Sequence, residues 1–556
     1  MTTTTARLHK VNDTWELLVD EKPFLILGGE LHNSSMSSSR YMSQVWQTLA
    51  DSGINTVLGA VSWEDIESRE GEFQFTELDV IIEGAKTHGL RLIILWFGSF
   101  KNGKSSYVPA WVKTDPQRFP RMYIRDADGR LANSGVLSIF HDKCYKADAR
   151  AFTRLLQHLR DNDKYRTVIM VQVENEVGLR FDSRCRSAVA EKAFKSPVPS
   201  ELFKFIVTKR QNLHPDFNYY PGDYLETLGK GGRNWEEVFG QSIWTDELFM
   251  AYHYARYVEY VASSGRKEYD IPLFTNAWLA RPGEAGAAAG GGTPGEYPSG
   301  GPVSTALDIW QRFAPGLSFL SPDIYTAPYS ETCETYSHNG QPLFIPEQRR
   351  DAVGARQVWI SIGTYKAIGT SPFGIDTLKP MVNHFVEAYK LLKSVSSLII
   401  HARREGQQIV GFAFENPPLP GQVDATPEFT IGFKDYQVTI DRAFVFGKKA
   451  AGYGMIIELE PTKFLLVGKG FKAEWKSRSS TLPYTDIISF LEKSVDVETQ
   501  ELRTERVLNG DESNGGTRAN MPNDDPDYGD AIVPVLIPAR TGIAVVQVFS
   551  LPNEEV

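Results

Sequence analysis

The run Val168-Ile169-Met170-Val171-Gln172-Val173-Glu174-Asn175-Glu176 decides how this chain is read. Its first six residues are almost all apolar, three of them valine, and contain no glycine or proline. That is the texture of a strand buried on both faces, as in a parallel sheet. The run then passes without a turn into three polar residues. In a closed β/α barrel the C-terminal strand ends line the mouth, where barrel enzymes keep their reactive groups.

Similar runs flank it on both sides, at 24–29, 56–61 and 90–98 before it and at 272–277, 318–324, 342–346 and 367–373 after it. Helical patterns separate them. One spans 41–52, with Val45 and Leu49 on one face and Gly53 at its end. Another spans 77–88, with Leu78, Ile81, Ile82 and Ala85 at helical spacing and Gly89 as the stop. Eight strands alternating with helices predict an α/β fold, a (β/α)8 TIM barrel over 1–396. Long insertions follow the fourth strand (181–254) and the fifth (281–301). The second is glycine-rich and reads as a mobile loop; no lysine follows at the spacing of a phosphate cradle. From 397 the texture changes to short alternating runs, at 429–433, 436–440, 455–459, 464–467 and 543–549. These predict a C-terminal antiparallel β-sandwich domain over 397–556. The acidic stretch 520–530 reads as a solvated turn, since its spacing does not fit a calcium loop.

Composition narrows the function. A formal net charge of -10 leaves no basic face for nucleic acid. No apolar run is long enough for a transmembrane helix, so no membrane partner is expected. Three cysteines, odd in number and widely spaced, read as free buried thiols in a reducing compartment. With no secretory signal in the first residues the expectation is cytoplasmic, or secreted if a leader preceded them. Only 10 histidines occur, with no paired ligand spacing near strand ends, and no dinucleotide fingerprint is present. Neither a metal nor a cofactor is expected.

Two strand ends carry the chemistry: Glu176 after the fourth strand and Glu347 after the seventh, in Leu343-Phe344-Ile345-Pro346-Glu347. They would face each other across the mouth. Glycoside hydrolysis requires such a pair, one carboxyl protonating the leaving oxygen and the other stabilising or capturing the oxocarbenium-like carbon. Alternation places Gln172, Glu174 and Glu176 on one face of an extended strand and so does not separate the two glutamates. Glu176 is favoured as the one nearer the open end, with Glu174 as its supporting partner.

The stretch Val171-Gln172-Val173-Glu174-Asn175-Glu176-Val177-Gly178 resembles the catalytic motif of glycoside hydrolase family 35, the β-galactosidases. Ile345-Pro346-Glu347 resembles the nucleophile strand of the branch with a C-terminal β-domain. Leu27-Gly28-Gly29-Glu30-Leu31-His32, Gly53-Ile54-Asn55-Thr56-Val57, Trp63-Glu64-Asp65-Ile66-Glu67, Glu70-Gly71-Glu72-Phe73-Gln74-Phe75 and Gly369-Thr370-Ser371-Pro372-Phe373-Gly374 agree with it, so the likeness covers the barrel almost end to end. The resemblance implies Glu176 as acid/base, Glu347 as nucleophile and a retaining exo-β-galactosidase that removes terminal galactose from oligo- or polysaccharides. Three places depart from the family pattern: Ala60 stands for a tyrosine, Phe100-Lys101-Asn102 for Cys-Ala-Glu, and Gln348-Arg349 follow Glu347 where an aromatic residue is usual. They alter the expected sugar contacts and keep two other readings open, a retaining β-glycosidase for another sugar (β-glucosaminidase or β-fucosidase) and a catalytically silent carbohydrate-binding protein.

Supporting residues have expected roles. Asn175 would bond the sugar 2-OH. Lys101, Asn102 and Glu64 would reach other hydroxyls, and Tyr325 would donate to the nucleophile or the sugar. Trp244 and Trp278 would stack on the pyranose ring. The β-domain is left three roles, as a cap, as a surface joining subunits of a homo-oligomer, or as a holder of polysaccharide.

Overall fold

In the computed structural model the described residues are 5–220, 233–280, 290–443, 449–523 and 536–552. Eight parallel strands close into a barrel: β1 (Ile26–Glu30), β2 (Thr56–Ser62), β3 (Arg91–Lys101), β4 (Val168–Asn175), β5 (Leu273–Trp278), β6 (Phe319–Ile324), β7 (Phe344–Gln348) and β8 (Gly369–Pro372). β8 pairs with β1, which completes the ring. Every residue of β2 and β4 is buried, as expected of strands covered on both faces. The barrel with its surrounding helices is the fold class that the alternating runs predict.

Helix Thr76–Thr87 buries the four apolar residues read from its spacing. The helix expected over 41–52 is instead two short pieces, Ser39–Met42 and Trp46–Asp51. Ser43 breaks it: its hydroxyl donates to the Arg40 carbonyl at 2.8 Å, and the chain tightens through Gln44 N–H to Tyr41 and Val45 N–H to Met42.

β3 runs further than its apolar core. Between Trp96, opposite Val173, and Lys101, opposite Asn175, the register with β4 jumps. This bulge carries the Phe100-Lys101 end of β3 onto the mouth. No side chain could replace hydrogen at Gly98 inside it, because a Cβ would lie 2.3 Å from Trp96 Nε1.

Two compact units are present. The first holds Glu16–Arg349 and Ile368–Lys379, and so all eight barrel strands; Met1–His9 belongs to it as well. The second holds Lys10–Trp15, Arg350–Ala367 and Pro380–Val556. The boundary expected at 396 falls inside helix Phe385–Arg404, which groups with the second unit. Within that unit a six-stranded and a four-stranded antiparallel sheet share one core, including Phe412, Phe464 and Val546 from the first sheet and Val438, Ile440 and Trp475 from the second. The glycine-rich tract at 281–289 and most of the acidic stretch, 524–530, lie outside the described residues. Among the described residues no helix is long and apolar enough to cross a membrane, and Cys144, Cys185 and Cys333 are buried and unpaired.

Candidate active site

The end of β4 sets the site. Glu174 has φ +61° and Glu176 has φ +45°, so left-handed backbone flanks Asn175 on both sides. Non-glycine residues adopt that region at a cost, and where they do the strict alternation of a strand is lost. The reading that Gln172, Glu174 and Glu176 share one extended face is corrected here. Glu174 turns to the backbone of β3, where it accepts from Ser99 N–H at 3.1 Å and Phe100 N–H at 2.6 Å. Burial and the neighbouring Asp148 push its carboxyl well above the usual range. Asp148 in turn accepts from Trp96 Nε1 at 3.0 Å and from Ser99 N–H at 3.2 Å. Glu174 thus ties down the strand end that carries Lys101.

Glu176 goes the other way. One carboxylate oxygen each from Glu176, Asp323 and Glu347 lie within 4.8 Å of one another. Asp323 and Glu347 are register partners on β6 and β7, so the barrel's own pairing sets them side by side. Asn276, on β5, joins the group. Its Nδ2 donates to Asp323 at 2.7 Å and lies 3.2 Å from Asn175 Oδ1 and 3.3 Å from Glu347 Oε1. With two hydrogens for three acceptors, the Asp323 contact is the tightest. The same side chain's Oδ1 accepts from the Glu176 N–H at 2.9 Å, which holds the strained residue in place. Tyr325 donates from its hydroxyl to Glu347 Oε2 at 2.7 Å.

The electrostatics separate the carboxyls. Burial, then the charge of Glu347, raises Glu176 to about 7; Lys101, Asp323 and Asn175 pull the other way. Asp323 is pushed well above the carboxylate range by burial and by Glu347, Glu176 and Glu30. Among the described residues its Oδ1 has no donor. With three carboxyls this close, a proton on one of them relieves the repulsion among them. Lys101 is buried, which works against its charge, yet Glu347, Glu176, Glu30 and Asp323 together raise it above its ordinary value. Its ammonium also lies 4.8 Å from the Phe97 ring centroid.

The other expected residues divide. Asn175 is fully buried, accepts from Gln172 Nε2 at 3.1 Å and donates to Asn102 Oδ1 at 3.4 Å, so Asn102 is at the same strand end. Trp278 ends β5 in register with Asp323, with the Arg180 guanidinium 4.6 Å from its ring centroid. Glu64 does not join them. Ser62 caps a short helix, Trp63–Ile66, and Glu64 in its first turn pairs with Lys113 at 2.6 Å, with 38% of its side chain exposed. Trp244 does not join them either: it opens helix Ile243–Arg266 and packs on Tyr219 of the insertion, ring centroids 5.1 Å apart. Both sit after a helix start, where a side chain leaves the barrel axis.

Three residues at the mouth escaped the sequence reading: Glu30, Asn276 and Asp323. Each is a polar residue near the C-terminal end of an apolar run, the same signal that identified Glu176 and Glu347. Asn276 and Asp323 are hidden by the apolar-looking residues that follow them, and Glu30 by its place inside a family motif that attaches no role to it.

The three carboxylates have the spacing of ligands to a hard divalent cation. The Lys101 ammonium, however, already supplies positive charge to the same oxygens, and Glu176 holds a proton close to neutrality.

Comparison with known proteins adds two family matches. Residues 34–245 match the glycoside hydrolase 42 family model, described as beta-galactosidase. Residues 385–520 match a domain of unknown function, DUF5597. No curated protein matches. Similar solved structures include a beta-galactosidase from Bacillus circulans sp. alkalophilus, at 16% identity and TM-score 0.45 over 68% of this chain and 57% of that one. Others are the catalytic domain of a beta-amylase from Paenibacillus polymyxa (12%, TM-score 0.44, 65% of this chain and 94% of that one) and a beta-galactosidase from the psychrophilic Marinomonas ef1 (13%, TM-score 0.44, 67% and 60%). The chain thus spans little more than half of either beta-galactosidase. The matched family is glycoside hydrolase 42, not the family 35 that the motifs resemble, and what it supports is the coarser assignment, a glycoside hydrolase barrel.

Proposed function

We propose that this barrel is a retaining β-glycosidase acting on terminal β-linked galactose of oligo- or polysaccharides, with Glu347 as nucleophile and Glu176 as acid/base. The observation that carries the reading is the spacing of the two carboxyls: oxygens of Glu176 and Glu347 approach within 4.8 Å. Retaining enzymes hold their pair at about 5 Å, whereas inverting ones leave roughly 6.5–9.5 Å for a water.

The surroundings support the division of labour. Glu347 receives hydrogen bonds from Tyr325 and Asn276, donors suited to an anion. Glu176, raised to about 7, still carries a proton near neutrality, as a general acid must. In the first step Glu347 attacks the anomeric carbon while Glu176 gives its proton to the departing glycosidic oxygen. In the second, Glu176 takes a proton from water, which displaces Glu347 and regenerates the starting configuration. Asn175, next to Glu176 in the chain and sharing Asn276 with Glu347, is read as the partner of the 2-OH. Galactose as the sugar is supported by the description of the family matched over 34–245.

The test is a product time course by NMR on a 4-nitrophenyl β-glycoside series. A β-anomer formed first supports double displacement, and fastest turnover of the galactoside supports the sugar. First-formed α-anomer would rule out retention, and no cleavage of any member would rule out the enzyme.

A further inference from the structure

Glu30 closes β1 and is 1% exposed, yet among the described residues neither of its carboxyl oxygens has a hydrogen-bond partner. Buried polar atoms are almost always paired, so two orphans on one side chain call for an explanation. The groups that act on Glu30 electrostatically are Glu347, Lys101 and Glu176, which places it at the barrel mouth among the reacting carboxyls. The backbone on either side is fixed. Glu30 bridges Phe373 and pairs with Leu58, so the side chain cannot leave by a shift of the strand. The rest of the molecule shows the opposite habit. Glu67, equally buried, has Trp63 Nε1, Gly71 N–H and Arg150 on its two oxygens. Where the fold needs a buried carboxylate, it supplies donors; at Glu30 it supplies none.

We infer that Glu30 reads the sugar, its two oxygens hydrogen-bonded to the vicinal 3-OH and 4-OH of the ring that occupies the mouth. This rests on the glycosidase reading above. Burial and the charge of Glu347 push the Glu30 carboxyl well above the usual range, so it presents one O–H donor and one acceptor, and neighbouring ring hydroxyls, each able to donate and accept, match them at the same separation. With Asn175 at the 2-OH, the remaining vicinal pair on a hexopyranose is the 3,4 pair. Lys101 faces the same space from β3 and donates to a hydroxyl that Glu30 leaves with a free lone pair. The ligand class is therefore a neutral pyranose with its 3- and 4-hydroxyls free, which excludes substituted or branched sugars at those positions.

The experiment is a double-mutant cycle across the contact. Wild type, Glu30→Ala and Glu30→Gln are assayed for kcat/KM on the parent 4-nitrophenyl β-glycoside that wild type cleaves best and on its 3-deoxy, 4-deoxy and 6-deoxy forms. Thermal unfolding and turnover of 2,4-dinitrophenyl substrate confirm that each variant is folded and retains its reacting pair. In wild type the 3- and 4-deoxy sugars each lose about 10- to 100-fold, the range for leaving a buried polar group without its partner. In Glu30→Ala that loss shrinks to under threefold, while the 6-deoxy loss is unchanged. Glu30→Gln, which keeps the shape, a donor and one acceptor, stays nearer wild type. Losses that simply multiply for both the 3- and the 4-deoxy sugars would overturn the contact and leave Glu30 as a contributor to local charge alone. If wild type cleaves these glycosides normally, such a result sinks only the Glu30 assignment. If wild type cleaves none of them, the glycosidase reading falls, and this inference with it.

Discussion

Glu247 and the barrel mouth are two answers to the same problem, a carboxyl taken out of water. Glu247 lies in helix Ile243–Arg266, fully buried, with hydroxyls on both oxygens: Tyr297 at 2.6 Å on one, Thr305 at 2.9 Å and Tyr220 at 3.4 Å on the other. Glu176 is as deeply placed, and both carboxyls are raised to about 7. The causes differ. At Glu247 burial acts against three hydroxyl donors; at Glu176 burial is reinforced by a second carboxylate, Glu347. A shifted pKa alone does not single out a reactive group, because structural networks shift pKa values as well. What separates the two regions is open valence: the Glu247 cage is complete, whereas the mouth keeps orphan oxygens on Glu30 and Asp323.

If the mouth is the reacting site, its groups should be costly to remove in ways that the cage is not. The largest effect is expected from Glu347→Ala, with turnover down on the order of 10⁴-fold or more. Added azide should restore part of it and give the α-glycosyl azide, since a small anion can take the vacated position. A variant with near-normal turnover would move the nucleophile elsewhere. Next comes Glu176→Gln. Losing the acid should cost about 10²- to 10⁴-fold on natural glycosides and far less on 2,4-dinitrophenyl leaving groups, which depart without a proton. The same carboxyl sets the alkaline side of the pH profile. As pH rises through about 7, Glu176 gives up its proton and kcat/KM on poor leaving groups should fall. Persistence of that fall in Glu176→Gln would assign it to another group.

The contrast between the two regions was only partly legible in the chain. The barrel was, because eight apolar runs each buried on two faces leave few other arrangements, and because the strand ends carry polar residues by necessity of the mouth. Glu176 and Glu347 followed from that rule. What the rule cannot supply is side-chain direction once the backbone leaves the β region. Positive φ at Glu174 and Glu176 sends two carboxyls that alternation would put together to opposite partners. The bulge before Lys101 has the same character, as it depends on packing around Gly98 that no period announces. Glu64 shows the converse error, standing where a strand would aim into the mouth although the chain there has already become helix, while Trp244 lies in the insertion, on a helix that packs it on Tyr219. The orphan oxygens of Glu30 are a negative fact, visible only when every possible donor has a place.

Glu174 tests whether a fully bonded neighbour of the reacting pair behaves like the mouth or like the cage. Its oxygens are held by two backbone N–H groups, so Glu174→Gln turns an amide hydrogen toward a donor and leaves a bond unmade. Removing a buried acceptor of this kind costs about 1–3 kcal/mol of stability. Activity should fall by less than about tenfold, through looser placement of Lys101, and equally for good and poor leaving groups. A loss confined to poor leaving groups would exchange the roles of Glu174 and Glu176.

Glu247 should leave activity unmoved and show itself only in stability. Its carboxyl rises from 4.5 in the open chain to about 7 in the fold. The folded protein therefore holds this proton more tightly, and between those values the unfolded chain has released it while the native state has not. Stability conferred by the group is complete below 4.5 and is lost as pH rises toward 7, a change on the order of 3 kcal/mol. Glu247→Gln keeps the protonated acid's shape and hydrogen-bonding pattern at every pH. Urea unfolding should thus find the two proteins alike near pH 4.5 and the variant more stable at pH 8, with kcat unchanged throughout. Glu176 and the other carboxyls of the mouth titrate equally in both proteins and cancel from the difference. A variant that tracks the wild type across the whole range would mean that the cage holds an ionised Glu247, and its likeness to Glu176 would then end at burial.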